Sequence, residues 1–503
     1  MSIQNAKPTW YGGIRDLFTP KDIAHMAPHG IHLNDYDAVK ERAPDIYGQV
    51  ASQNMPPGNP WNADQADLFL QWMKDDYPKG NPPEQAEFAS LKVAQTLASR
   101  TRKDVRSLSS SEITTLKKAF QGLMDLDTND PNSYFKMAGY HGLPEAYCMH
   151  HIPPYNPWHR AYLLAFENAL RSVKGCEDVT LPYWDIYSDF PDIFNQKPFD
   201  AYTLPVTLSS TYPKGYKTQR YSEADIASNL KTYDVITDFK RAAGEKDWED
   251  YHGGRAFDNS TNDTSISAHD GGHVSIGPTM GVQEVAAFDP IFWFYHCNID
   301  RMLWEWQKKM KATDINGLLS TVTSQMSRNY FTISALEKLP PFTDNTPFLT
   351  TVKIINSADT LDVDYAAPED DNTKQFAMTA FNTKQRGSVE ASEKFHVNTD
   401  MVNVRVKGVN RIKIPGSFNV HLLKDGKKIA SKAFFQPSEV EKCPNCVENP
   451  IVNFDFKLPL DDVKTGKLET WIEPLDHEPF GDRFPHKLMD KPTINVRLLL
   501  RNE

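Results

Sequence analysis

The sequence predicts a multidomain protein, with a mainly α-helical middle, a C-terminal antiparallel β-sandwich and a small N-terminal helical module. Three observations carry this. The 503 residues exceed a single domain, at about 150 residues per domain. Between about 96 and 345 apolar residues recur at helical spacing. From about residue 348 apolar and polar residues alternate with period two.

The N-terminal module, residues 1–95, is rich in Pro, Asp and Met. Pro56-Pro57-Gly58-Asn59-Pro60 is a turn cluster. A helix follows with Ala66, Leu68, Phe69, Leu70 and Trp72 as apolar positions, and the Pro/Gly run at 78–83 ends the module.

In the middle domain, residues 96–345, Ser109 and Glu112 fit a capping box, in which each side chain meets the other's backbone N–H. Ile113, Leu116, Phe120, Leu123 and Met124 continue that helix. A second helix runs from Trp158 to Val173. A third opens at Asp289-Pro290, an N-cap acceptor followed by a residue with no N–H to satisfy.

In the last domain, residues 346–503, the segments Thr350–Ile355, Val402–Val406, Phe418–Leu422 and Ile494–Leu498 read as strands. Lys424-Asp425-Gly426 is a hairpin turn.

Composition excludes several classes. Apolar residues at 40% and charged residues at 24% make a packed protein rather than a disordered chain. A net charge of −11 without a Lys/Arg cluster argues against nucleic acid as a partner. No apolar run approaches the ~20 residues of a membrane span. No charged-then-apolar leader opens the chain, which predicts a cytoplasmic setting. Five cysteines make no disulfide framework. A homo-oligomer is left open.

The histidines are informative. Of fifteen, His252, His396, His421, His477 and His486 read as ordinary surface or core residues, and His25, His29 and His32 as surface groups. Two clusters stand apart: His141, His150, His151 and His159, and His269, His273 and His296. His269 and His273 are four apart, so on a helix both rings share one face. A zinc protease helix has the same spacing, but here Asp270 is short for its general base, and Gly271-Gly272 is a poor helix interior. His150 and His159 flank a rigid Pro-rich loop, with His141 nine residues earlier. Six imidazoles without a thiolate or carboxylate set suit copper. Two facing redox ions could clamp one bridging ligand, which points to dioxygen.

These residues resemble the tyrosinase family, the type 3 copper proteins that include catechol oxidases and mollusc hemocyanins. Asn156-Pro157-Trp158-His159-Arg160 is similar to its copper-A signature, with His150 nine before and His141 in the segment His141-Gly142-Leu143-Pro144. Asp289-Pro290-Ile291-Phe292-Trp293, with His296, Asn298, Asp300 and Arg301, is similar to its copper-B signature. The resemblance implies a four-helix bundle core holding two copper ions. Copper A would be held by His141, His150 and His159, and copper B by His269, His273 and His296. O2 would be the co-substrate, and small phenols or catechols would be oxidised to o-quinones. A catechol or o-aminophenol oxidase lacking monophenol hydroxylation is the alternative. An oxygen carrier fits less well, because no repeated units are visible.

The resemblance implies further roles. Cys148, two before His150, stands where fungal members join cysteine to the copper ligand by a thioether, and His151 points elsewhere. Phe292 would lie near the mouth of the site and pack on an aromatic ring. Members that hydroxylate monophenols often carry Asn after the first copper-B histidine and a Glu upstream. Here Asp270 follows His269 and the nearest upstream acids are Asp263 and Asp258. In fungal pro-enzymes a ring from the C-terminal domain plugs the pocket. Here Phe434 and Phe435 precede Cys443-Pro444-Asn445-Cys446, a CxxC implicated in copper loading. On a strand the two phenylalanines point to opposite faces, one to the sandwich core and one to the copper pocket. Pro340-Pro341 suggests a linker over 340–350. The N-terminal module has a partial resemblance to cytochrome c around Met55-Pro56-Pro57. Lys21–His25 stands where its haem-attachment motif would be, without either cysteine, so the module is expected to be haemless.

Overall fold

The structure, a computed structural model, describes residues 8–19, 22–23, 26, 31–52, 55, 60–80, 100–253, 264–336, 339–342, 350–368, 401–475 and 492–498. The expectations resting on 21, 24–25, 29, 56–59, 258, 263, 396, 477, 486 and most of the 340–350 linker fall outside these residues. The chain divides into two compact units: Met1–Ala98 with Thr332–Ser334, and Ser99–Phe331 with Ala335–Glu503.

The first unit contains α1 (Tyr36–Glu41), α2 (Ala43–Ala51) and α3 (Ala63–Lys74). Asn62 starts α3 with a capping box: its Oδ1 accepts from the Gln65 N–H at 2.9 Å, and its own N–H donates to Gln65 Oε1 at 3.0 Å. Phe69 and Trp72 are fully buried, and Trp10 packs on Trp72 with ring centroids 6.0 Å apart. A cavity of ≈140 Å³ lies among Phe18, Met26, Ile46, Val50, Met55 and Trp61.

In the second unit the helices used below are α4 (Ser110–Met124), α5 (Tyr134–Gly139), α6 (Tyr155–Ser172), α7 (Val235–Gly244), α8 (Ser265–Ile276), α9 (Ile291–Met310) and α10 (Thr351–Ile355). The Ser109–Glu112 capping box opens α4, with the Ser109 N–H donating to Glu112 Oε2 at 2.8 Å. Asp289 accepts from the Ile291 N–H at 3.1 Å, so the acid that begins α9 caps it as expected, although Pro290 takes the boundary position. α6 and α9 are buried on almost every face.

A buried ionic clamp ties α6 to α9. Arg160 Nε donates to Asp300 Oδ1 at 2.6 Å, and Tyr365 Oη donates to Asp300 Oδ2 at 2.5 Å. Arg160 also donates to the carbonyls of Ile354 and Ile355 at 3.0 and 2.9 Å. These carbonyls belong to α10, so the strand expected over Thr350–Ile355 is a helix. Thr350 caps it, accepting from the Lys353 N–H at 3.3 Å. Ile354 and Ile355 are both buried, in two neighbouring apolar clusters. Burial at Thr351, Ile354 and Ile355, a spacing of three and four beneath a threonine cap, overrides the period-two pattern. β1 (Arg100–Arg102) then pairs in parallel with β2 (Val363–Tyr365). Residues 350–365 are therefore built into the helical part, and the boundary expected between 345 and 346 falls inside this unit.

α8 carries Gly271-Gly272 in its interior, and both glycines are there for space. A Cβ on Gly272 would lie 1.9 Å from Tyr295 Oη, and one on Gly271 2.9 Å from Val235. Tyr295 Oη donates to the carbonyls of Ala268 and His269 at 3.0 and 3.2 Å, locking α8 against α9.

The C-terminal strands are β3 (Met401–Asn410), β4 (Phe418–Lys424), β5 (Lys427–Phe434), β6 (Ile451–Pro459), β7 (Leu468–Pro474) and β8 (Thr493–Leu498). They form two antiparallel sheets of order β6-β3-β8 and β5-β4-β7. Asp425 and Gly426 turn the β4–β5 hairpin with φ of 50° and 78°, the left-handed pair that a two-residue hairpin needs. Val402, Val404, Phe418, Val420, Phe434 and Phe454 belong to one shared apolar cluster. The polar residues between them are not solvated. Arg405 is buried and donates to Asp455 at 2.9 Å. Lys432 is buried in an ion pair with Asp238 of α7, and Asn419 donates to Tyr233 Oη at 3.0 Å. The polar side of the β4–β5 hairpin is thus docked on the helical part.

Among the described residues no helix is long and apolar enough to cross a membrane. Gly272→Ala should displace Tyr295 and lower stability by about 1–3 kcal/mol, the range for overpacking a core. Urea unfolding measures it, and an unchanged midpoint would mean that α8 and α9 do not need this approach.

Candidate metal centre

Six histidines converge in the helical part, and all six are buried. His159 lies on α6, His269 and His273 on α8, and His296 on α9. His141 and His150 sit in the turns between α5 and α6. The four-residue spacing of α8 puts His269 and His273 rings 4.5 Å apart.

Burial disfavours the charged form of an imidazole. It pushes His141 down to about 3, and His150, His159, His273 and His296 well below the ordinary histidine value. Burial therefore favours the neutral form of these five rings, each with one nitrogen lone pair for a ligand.

Four of the rings are anchored through Nδ1. His141 Nδ1–H donates to the Gln283 carbonyl at 3.2 Å, His159 to Tyr155 at 2.8 Å, and His273 to Met280 at 2.9 Å. His269 Nδ1–H donates to the Asp270 carboxylate at 2.9 Å. Each anchor fixes the tautomer that leaves Nε2 free to face the centre.

The inward nitrogens approach one another closely. His141 Nε2 is 3.3 Å from His150 Nε2, and His273 Nε2 is 2.9 Å from His296 Nε2. The ligand nitrogens of His141, His150 and His159 lie within 4.8 Å of one another, as do those of His159, His269 and His296. His159 thus stands within reach of both groups, stacked on His296 at 4.6 Å.

The chain carries the central-domain signature of a known family. Residues 131–208 and 193–309 match the common central domain of tyrosinase. A tyrosinase of Aspergillus oryzae is 26% identical over 448 residues, 63% of this chain and 80% of its own. Residues 131–309 thus carry the central domain of the tyrosinase family. A hemocyanin of Enteroctopus dofleini is 28% identical over 245 residues, 43% of this chain and 8% of its own. Among solved structures, a tyrosinase from Burkholderia thailandensis has the same fold. Its TM-score is 0.59 at 21% identity, over 79% of this chain and 100% of that one.

The family's cofactor is a pair of copper ions, and this chain's residues fit them. Two buried groups of three histidines are present; they share His159, and His273, expected in the copper-B set, is in neither, although its Nε2 lies 2.9 Å from that of His296. His159 Nε2, which faces the centre, is buried without a hydrogen-bond partner. A buried nitrogen left bare in this way costs free energy that a metal bond recovers.

The surrounding residues take definite places. Phe292 is fully buried and packs on two of the histidine rings, 4.1 Å from His296 and 4.8 Å from His141 between centroids. Asp270 is a hydrogen-bond partner: one oxygen accepts from His269 and the other from His151 Nε2 at 2.9 Å. His151 therefore does point away from the histidine cluster, as expected, and what it meets was not legible in the sequence. Cys148 is half-buried and accepts from Gln283 Nε2 at 2.8 Å, with its thiol pushed by burial up to about 12. Cys443 and Cys446 are joined as a disulfide, with Arg411 donating to Cys446 Sγ at 2.7 Å. In this state they offer no thiolate, so a copper-loading role needs the reduced pair.

The two phenylalanines separate. Phe434 packs in the β-sheet cluster, stacked on Phe418 at 5.0 Å. Phe435 joins the helical core and lies face to face with His273, centroids 4.1 Å apart at 18°. It is also 5.4 Å from His150 and 5.7 Å from His269.

His150→Ala and His296→Ala should each lower bound copper from two ions towards one and abolish oxidase activity. Elemental analysis of the purified variants checks this, and full copper in either would remove that residue from the ligand set.

Proposed function

We propose that this chain is a copper-dependent oxidase that converts phenols and catechols to o-quinones with O2. His141, His150 and His159 hold copper A, and His269, His273 and His296 hold copper B. The observation that carries the proposal is Phe435. A six-membered ring lies flat on His273 and meets His150 and His269 at its edges. A phenolic substrate would use the same stacking surface with its hydroxyl directed at the metal side.

The copper pair, when bound, supplies the two-electron exchange with dioxygen. The chain's own residues do the rest. His273 gives the ring a face to stack on, and the Nδ1 anchors hold the imidazoles in place. The buried core keeps water away from the reacting oxygen. Asp270 already accepts from two imidazole N–H groups, so taking a phenol's proton would break one of those bonds. We therefore infer that o-diphenols are better substrates than monophenols. We also propose that copper oxidation joins Cys148 to His150 as a thioether, with loss of two protons and two electrons.

The two C-terminal sheets are read as a β-sandwich that covers the site, with Phe435 as its plug. The polar docking of Lys432 on Asp238 supports a cover that can part from the helical domain. Hemocyanin-like oxygen binding is the second reading. It is favoured by the closed state of the full chain, where all six histidines are buried and a small ligand such as O2 enters more easily than a substituted ring.

Phe435→Ala should raise catechol turnover at least ~10-fold in the intact chain, the rate change that about 1.4 kcal/mol of lost ring competition gives. Cleavage at a protease site placed between Pro368 and Met401 should act in the same direction. Phe434→Ala should cost about 3–5 kcal/mol of stability, as for other buried phenylalanines, without an equal gain. Turnover assays of intact, clipped and mutant protein decide this: no quinone from any form would leave the oxygen carrier.

The opened enzyme should oxidise a catechol without delay and its matching monophenol with a lag and a lower rate. Equal initial rates would mean that Asp270 does not limit proton removal.

A further inference from the structure

His151 is adjacent to one histidine of the centre yet serves a residue on the far side of it. Its backbone is left-handed, with φ of 60°, which turns the side chain away from that of His150. Its Nε2 meets Asp270 Oδ2 at 2.9 Å, and Asp270 Oδ1 meets His269 Nδ1 at 2.9 Å. His151, Asp270 and His269 are all buried. On its other side the His151 ring lies flat against Phe434, centroids 4.3 Å apart at 14°.

The other three Nδ1 anchors are backbone carbonyls, of Gln283, Tyr155 and Met280. The backbone itself holds a carbonyl in place. A carboxylate on a side chain can rotate about two bonds, so an imidazole anchored to it is only as well aimed as the carboxylate. His269 is the one anchored histidine with this weakness, and Asp270 is the residue that needs a second support.

We propose that His151 is a positioning residue for the copper ligand His269, acting through Asp270, with Phe434 of the C-terminal strands holding the His151 ring in place. His151 donates Nε2–H to Asp270 and fixes the carboxylate. The fixed carboxylate then holds His269 in the tautomer and orientation that present Nε2 to the metal. This rests on the copper assignment above.

The test is copper affinity, measured by competition with a chromophoric Cu(I) chelator on the intact chain. Removing an outer partner of a metal ligand typically costs 10–100-fold in affinity. His151→Phe keeps a flat ring for Phe434 but cannot donate. It should weaken one of the two copper ions 10–100-fold and leave the other unchanged. His151→Gln, which still offers an N–H at similar reach, should restore most of that loss. Should His151→Phe not fold, His151→Leu takes its place with the same expectation. Wild-type affinity in the non-donating variant would overturn the proposal. Equal weakening in the Phe and Gln variants would overturn it too, because the ring's packing rather than its hydrogen bond would then matter. If the wild type itself does not take up two copper ions, the copper assignment fails rather than the role of His151.

Discussion

Everything in the central part follows from holding six buried imidazoles together in a dry protein core. Burying a polar ring is costly unless its nitrogens are satisfied. The structure satisfies the outer nitrogens first, with carbonyls or a carboxylate at four of the six rings. Two pairs of inner nitrogens then meet at 2.9 and 3.3 Å, His273 with His296 and His141 with His150, while His159 Nε2 has no partner. Such a cluster is unfavourable until an ion fills it, so copper binding contributes to the stability of the folded domain. The Arg160–Asp300 clamp has the same logic one layer out. Splitting such a buried pair costs about 3–5 kcal/mol, so the helices bearing His159 and His296 are held in one relation.

The C-terminal sheets meet this core through polar groups as well as through a ring. Lys432 reaches Asp238, and Asn419 reaches Tyr233. Interfaces of this polar kind resemble those between separable domains more than the inside of one. The Phe435 ring adds about 1.5–3 kcal/mol if fully removed from water. It is also tethered. A tethered group competes at an effective concentration in the millimolar range, so a free substrate meets an occupied stacking surface. Closure therefore needs no exceptional affinity, only the correct register of the β4–β5 hairpin, in which Phe418 faces Phe434.

Much of the site was legible because its spacing survives folding. His269 and His273 share a helix face whatever surrounds them, and the Pro-rich loop between His150 and His159 leaves little freedom. Strand alternation separated Phe434 from Phe435, but which one entered the site depended on how the sheet docks. The same docking hid the polar face of β4 and β5, since alternation cannot tell water from a neighbouring domain. Thr350–Ile355 failed for a related reason. Six residues are too few to separate a buried helix from a strand, and the contact that decides, Arg160 to the Ile354 carbonyl, spans almost two hundred positions. The carbonyl anchors had no sequence signal, because every residue has a carbonyl. Gly271-Gly272 read as a weak helix, whereas Gly271 leaves room for Val235 and Gly272 for Tyr295.

The anchors also make the two metal positions unequal. His141 and His159 lean on neutral carbonyls, whereas His269 leans on a buried carboxylate. A negative partner raises the basicity of the imidazole more than a carbonyl does. An ion held through His269, as proposed, would therefore see the richer electron donor, and the ion held by His141 and His159 the weaker set. Phe435 stacks on His273, the helical neighbour of His269. A ring arriving there meets the side of the centre whose ligand is tied, through Asp270 and His151, to the Phe434 ring beside it. On the proposed reading, the segment that would fill the pocket with Phe435 also steadies its lining with the preceding residue, Phe434. Removing the single ring and removing the whole cover are consequently different operations: the first opens the stacking surface, and the second also takes away the outer support of His151.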